Sequence, residues 1–260
     1  MNRFKTLSIF AFPIFAICLC VSFAQPAFGQ SIDDLIKTGK LLVDDNFDRA
    51  KIGKKWTTND GRAMRTSKIP ESKFESQSQI KNNVLEIRRT QGSDHATSTK
   101  TNAEFKDAIF KFKFRLTDKN KFSLNFNDPK LKTVHAGHIS KIEFGPQHIL
   151  IQDQKLGTMK NEHRKVRLEG DSAAKKELNK KLAGFQKRVK TDIAAGQWHT
   201  AIVLVRGETY KIHVDNQLAA EFSSAGLGHA TKQNMALAVP VSVDVDDLKI
   251  WSLPPEKNDK

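Results

Sequence analysis

Gly196-Gln197-Trp198-His199-Thr200-Ala201-Ile202-Val203-Leu204-Val205 opens the stretch whose reading decides the fold. A glycine turn leads into a strand, and Arg206-Gly207-Glu208 reverses the chain into Thr209-Tyr210-Lys211-Ile212-His213-Val214. Tyr210, Ile212 and Val214 fall on one face of that second strand, Lys211 and His213 on the other. Asp215-Asn216 makes a two-residue turn into Gln217-Leu218-Ala219-Ala220-Glu221-Phe222. The stretch closes on Val243-Asp244-Val245-Asp246-Asp247-Leu248-Lys249-Ile250-Trp251. Alternation at period two with regular turn signals predicts an all-β sandwich of two antiparallel sheets.

Upstream residues extend the pattern. Leu41 to Phe47 reads as a first strand, Asn82-Asn83 as a turn before a strand at 84–89, and residues 54–81 as polar and irregular. Residues 108–116 set Phe110, Phe112 and Phe114 against Ile109, Lys111 and Lys113, which predicts an aromatic core face. Phe122, Leu124 and Phe126 repeat it, and residues 138–152 form a hairpin around Gly145-Pro146. Trp56, Trp198 and Trp251 are expected in the core.

The period changes at Gln154. Residues 155–190 carry twelve Lys/Arg against four Asp/Glu. Within them 172–189 fits a helix, with Asp171 or Ser172 as its cap and Leu178, Leu182, Phe185 and Val189 as a narrow apolar stripe. The expectation is a basic helical arm inserted at about 154–195.

The first 29 residues read as a secretory signal peptide. Arg3 and Lys5 precede an apolar run from Leu7 to Val21, with small residues at the cleavage-type pairs Ser22/Ala24 or Ala27/Gly29. That implies a secreted or periplasmic protein with no membrane span after cleavage. Cys18 and Cys20 both lie there, so the remaining chain has no disulfides, thiol chemistry or cysteine zinc sites. Residues 254–260 are expected to be a disordered tail. The whole chain has 43 Lys+Arg against 29 Asp+Glu, a net charge of +14. For an exported chain that favours an anionic polysaccharide as partner; the arm lacks interleaved aromatics, so nucleic acid is disfavoured. The oligomeric state is not legible.

A family resemblance rests on His135-Ala136-Gly137-His138-Ile139, Lys141-Ile142-Glu143-Phe144-Gly145-Pro146, Ile149-Leu150-Ile151-Gln152-Asp153, Gly196-Gln197-Trp198-His199-Thr200 and Val245 to Trp251. Together they resemble exported bacterial proteins of the 3-keto-disaccharide hydrolase type over residues 41–253. The resemblance implies a concanavalin-A-like, laminin-G-like jelly roll acting on glycosidic bonds, with the sugar on its concave sheet. One departure stands out: the Glu-x-Asp-x-(x)-Glu spacing of family 16 glucanases is absent.

Polar groups on the central strands supply the candidate site. His138, Glu143 and Asp153 are the candidate catalytic groups, since a histidine near a carboxylate serves as acid or base. Asn125, Asn127, Asp128 and His135 are candidate sugar contacts, as are His229 and Lys232 in a rim loop. His135 and His138 could share a metal only if Ala136-Gly137 turns the chain. Asp44 and Asp45, set beside Asp246 and Asp247 by pairing of the first and last strands, are a candidate Ca²⁺ site. Three functions stay open: a glycosidic-bond hydrolase, a non-catalytic lectin-like module, and an envelope protein that docks another protein through the arm.

Overall fold

The computed structural model describes residues 31–117 and 120–256. The expected signal segment and residues 257–260 of the expected tail lie outside the described residues. Contacts divide the chain into Met1–Ser31 and Ile32–Lys260, and the second unit holds the fold.

In chain order this unit starts with helix α1 (Ile32–Thr38) and strand β1 (Lys40–Asp45), then β2 (Trp56–Thr58) and helix α2 (Asp60–Ser67). Strands β3 (Ser78–Lys81), β4 (Val84–Arg88), β5 (Thr97–Phe105), β6 (Ala108–Leu116) and β7 (Phe122–Asn127) follow. Next come β8 (His138–Gly145), β9 (His148–Asp153), α3 (Asn161–Glu169), α4 (Ser172–Ala183) and β10 (Gln186–Lys190). The last five strands are β11 (Trp198–Arg206), β12 (Thr209–Val214), β13 (Gln217–Ser223), β14 (Lys232–Val239) and β15 (Ser242–Ser252). One sheet has the order β13-β12-β11-β6-β15-β4-β3, with β1 also paired to β15. The other runs β10-β9-β8-β7-β14-β5-β2. All pairings are antiparallel, as the alternation predicts.

The phenylalanine faces meet between the sheets. Phe110 stacks on Phe126 at 4.7 Å between centroids, and Phe122 on Phe144 at 5.0 Å. Phe112 and Phe114 complete the layer, each within 1 % of full burial. Each buried aromatic ring contributes about 2–3 kcal/mol of transfer free energy, alongside the aliphatic residues of the same core. The outward side of β6 is polar except at Ile109, which α1 covers by packing Leu35 against Ile109, Ile202 and Leu253. Trp56 is buried as expected, but Trp198 is 38 % exposed with the Arg115 guanidinium 4.9 Å above its ring.

The arm differs from its expected form. Asp171 caps α4 by accepting the Ala174 N–H at 2.8 Å, and Leu178 and Leu182 are its buried positions. The helix then stops at Ala183. Phe185 and Val189 are not on its stripe: Val189 lies in β10, pairs with Ile149 and packs against the main core. A second helix, α3, precedes α4, and the insertion ends as the edge strand of the second sheet. Among the described residues no helix is long and apolar enough to cross a membrane.

Candidate functional site

The second sheet ends, on one side, in a row of polar residues from neighbouring strands. Register sets Asn234 of β14 beside Asn127 of β7, and Asn127 opposite His138 of β8. A bulge between Phe126 and Asn127 makes that last pairing, a device that re-aims a side chain. Gln154, just past β9, adjoins the row through its N–H bond to the Ile139 carbonyl at 2.9 Å. Asn127 Nδ2 donates to Asn234 Oδ1 at 3.0 Å, which leaves Asn127 Oδ1 as an acceptor.

Three buried atoms of this row have no hydrogen-bond partner among the described residues: Asn127 Oδ1, His138 Nδ1 and Gln154 Oε1. An unpaired buried polar atom costs about 1–3 kcal/mol, and native proteins keep few of them. The three come from β7, the start of β8 and the turn that follows β9. His138 has its pKa lowered, first by burial and then by the nearby His135, so its ring is held neutral. Gln154 and Asn234 escape sequence reasoning because register, not local pattern, brings them here.

The turn before β8 sets the two imidazoles. Ala136 has φ 50° and Gly137 φ 71°, which bring the rings of His135 and His138 to 6.3 Å between centroids. Gly137 O accepts the Asp128 N–H at 2.8 Å, and a Cβ on Gly137 would stand 2.2 Å from the Asp128 carbonyl oxygen. The arm holds the other side: the His135 N–H donates to Met159 O at 2.8 Å, and the Asn161 N–H to Thr133 O at 3.1 Å. Although the two rings converge, no group of three or more His, Cys, Asp or Glu able to hold a metal forms among the described residues.

Asp128 also fixes the rim loop, its Oδ2 3.1 Å from His229 Nε2. Lys232 is fully buried and donates to Lys106 O and His229 O, both at 2.9 Å. Burial brings its pKa down to about 8. Asp128, His229 and Lys232 therefore stand together, as one frame beside Asn127.

The two carboxylates expected next to His138 are placed otherwise. Asp153 turns into the interior, where it accepts bonds from Ser224 Oγ at 2.6 Å, Gly226 N at 2.9 Å and Leu156 N at 2.9 Å. Strand alternation dictates this, because Asp153 pairs with Ser140, whose hydroxyl lies 3.0 Å from the buried Tyr210 OH. Glu143 is outward but enclosed by Lys121 at 3.0 Å, Lys141 at 2.8 Å and His148 at 3.0 Å. Burial acts to raise its pKa, yet bonds from Lys141, His148 and Lys121 outweigh it and hold it at about 2. Glu143 is thus a standing anion, not a proton donor. Asn125, two residues along β7 from Asn127, pairs with Lys141 and Ala236 on the same outward face.

The first and last strands do pair, with Asp44 opposite Lys249 and Asp45 opposite Leu248. Their aspartates engage cations and donors. Asp45 accepts from Arg49, Trp56 Nε1 and Phe47 N, Asp44 pairs with Lys249 at 3.2 Å, and Asp247 with Lys113 at 2.5 Å. Asp246 accepts the Asp247 N–H at 2.8 Å. These four residues do not form a metal-holding group among the described residues.

Solved structures share the architecture. SCLam, a non-specific endo-beta-1,3(4)-glucanase from family GH16, matches with TM-score 0.54 and 14 % identity over 84 % of this chain and 92 % of its own. The laminarinase from Rhodothermus marinus matches with TM-score 0.54 and 13 % identity over 83 % and 98 %. The endo-beta-1,3-glucanase from Pyrococcus furiosus gives TM-score 0.51 and 14 % identity over 84 % and 96 %. At these identities the likeness establishes the jelly-roll fold. No curated protein matches the chain. The 3-keto-alpha-glucoside-1,2-lyase-like domain model matches residues 44–250, and the chain belongs to that carbohydrate-active family.

Proposed function

We propose that this is an exported carbohydrate-processing domain whose chemistry runs at the His138 end of the second sheet. The observation that carries the reading is the trio of unpaired buried atoms, Asn127 Oδ1, His138 Nδ1 and Gln154 Oε1. Two amide oxygens suit the hydroxyls of a sugar, and a neutral imidazole with a free nitrogen suits a proton. Asn125 and His135 extend the sugar contact, while Asp128, His229 and Lys232 frame its rim.

The family supports a 3-keto-α-glucoside as substrate class. A ketone at C3 acidifies the C2–H bond. The His138 imidazole takes that proton, the freed electron pair forms the C1=C2 double bond, and the C1–O bond breaks with its electrons on the leaving oxygen. The imidazolium returns the proton to that oxygen. Water adding across the double bond afterwards makes the net result a hydrolysis. This route needs one base, whereas a retaining glycosidase needs two carboxyls about 5 Å apart. Glu143 and Asp153, bound as they are, leave the role of base to the imidazole.

Export is supported by the basic and apolar leader at residues 1–29, and an anionic polysaccharide partner by the surplus of cations in the arm. Incubation with a 3-keto-α-glucoside and its unoxidised parent tests the reaction. Cleavage of the keto sugar alone, falling roughly a hundredfold or more in His138→Gln, is expected. Equal cleavage of both sugars, or full activity in the variant, overturns it. Saturable glycan binding without turnover would favour the lectin-like alternative.

A further inference from the structure

The outward face of the second sheet carries a second cluster, further along β8 from His138. Glu143 lies at its centre, with Lys121, Lys141 and His148 bonded to its carboxylate. In the same register Arg188 of β10 pairs with Leu150, which pairs with Glu143, and Lys190 pairs with His148. Strands are about 4.8 Å apart, so Arg188 stands roughly 10 Å across the sheet from Glu143. Arg188 and Lys190 are exposed and make no ion pair among the described residues. Glu143 is the sole carboxylate at the outward positions of β7, β8, β9 and β10.

One anion among this many cations leaves the cluster with excess positive charge. Each of the Lys121 and Lys141 ammonium groups has three donor hydrogens and makes one bond to Glu143, so each keeps donors in hand. Glu143 fixes the two lysines side by side and so preorganises them. The neighbouring floor is low. Ser123 pairs with Glu143 on one side and with Ala238 on the other, and Asn125 lies between Lys141 and Ala236. Short side chains there set the floor of β7 and β14 below the cationic heads of Lys121 and Lys141.

We propose that Lys121, Lys141, Arg188 and Lys190 form a subsite for the acid group of a glycan, a carboxylate or a sulfate ester, with Glu143 as the positioning residue. The proposal rests on the sugar reading of the His138 end, whose substrate it narrows to an acidic saccharide. The basic helices α3 and α4 are a separate surface and are not needed for this preference.

Histidine-resolved NMR titration tests it. The probes are a glucuronate-containing disaccharide, a 6-sulfated glucose disaccharide and a neutral glucose disaccharide. Expected is tighter binding of one or both acidic probes, by roughly tenfold, weakening with salt, with shifts at both His148 and His138. The carboxylate and sulfate arms identify which group is read. Arg188→Gln with Lys190→Gln, at exposed unpaired positions, removes most of that preference, while Lys175→Gln with Lys176→Gln in α4 preserves it.

Equal binding of acidic and neutral probes, with His138 shifted by both, overturns the acid subsite and leaves the sugar reading standing. Acid-dependent shifts at His148 with no saccharide reaching His138 uphold the subsite and remove the sugar reading of the His138 end. Loss of the preference in the α4 variant overturns the subsite in favour of the arm.

Discussion

His138 shows how a single side chain acquires a role from its setting. Burial and His135 hold its ring neutral below the usual histidine range, so the base form persists into mild acid. The acid limb of kcat/KM is therefore expected below pH 6.5, the ordinary value for the group, and His138→Gln is expected to remove it. A limb centred above that value would contradict the assignment. Gly226 is a second decisive position. A Cβ there would lie 2.2 Å from both carboxylate oxygens of Asp153. Gly226→Ala is expected to cost about 1–3 kcal/mol in urea unfolding, because Asp153 must give up its bonds to the 224–226 turn. His138 was visible in the sequence as a polar residue beginning a strand. The inward aim of Asp153 was not, because it depends on which neighbour Asp153 pairs with.

At the scale of elements, the strands were far more legible than the arm. Phe110, Phe112 and Phe114 declare a strand face by themselves, and the turns at Asn82-Asn83 and Asp215-Asn216 adopt the positive φ their composition favours. Val189 misled, since its spacing from Phe185 and Leu182 suits a helix, yet the open edge of β9 offered a strand partner and a place in the core. The same physics hid Asn234 and Gln154: they reach the site through cross-strand register with residues about a hundred or about fifteen positions away. The arm itself is two-sided, with α3 next to the His135 turn and α4 capped independently by Asp171. Asp171→Ala is expected to destabilise α4 by about 1 kcal/mol, raising hydrogen exchange of its amides, with kcat/KM left within twofold. A collapse of activity in that variant would show that α4 supports the His135 turn.

For the whole molecule, buried charges of opposite sign shape the pH response. Glu143 has a folded pKa of about 2, below the ordinary 4.5. Its contribution, on the order of 2 kcal/mol, is present above pH 4.5 and is lost as pH falls towards 2. Lys232 has a folded pKa of about 8 against an ordinary 10.5, so the unfolded chain binds more protons between those values and stability rises with pH across them. Urea midpoints measured from pH 3 to 10 are expected to rise with increasing pH on both flanks, from 3 towards 4.5 and again from 8 towards 10. Glu143→Gln should flatten the acid side and Lys232→Met the alkaline side; an unchanged profile in either would refute its assignment.

Lys40 of β1 sits directly across from Ser252 of β15. The helix leading into β1 packs Leu35 against Leu253 just past β15, so the entrance and exit of the fold are neighbours, a geometry that permits circular permutation. A short Gly-Ser bridge could splice them, and the chain could be reopened at an exposed hairpin such as Asp215-Asn216 without disturbing any pairing between the sheets' interior strands.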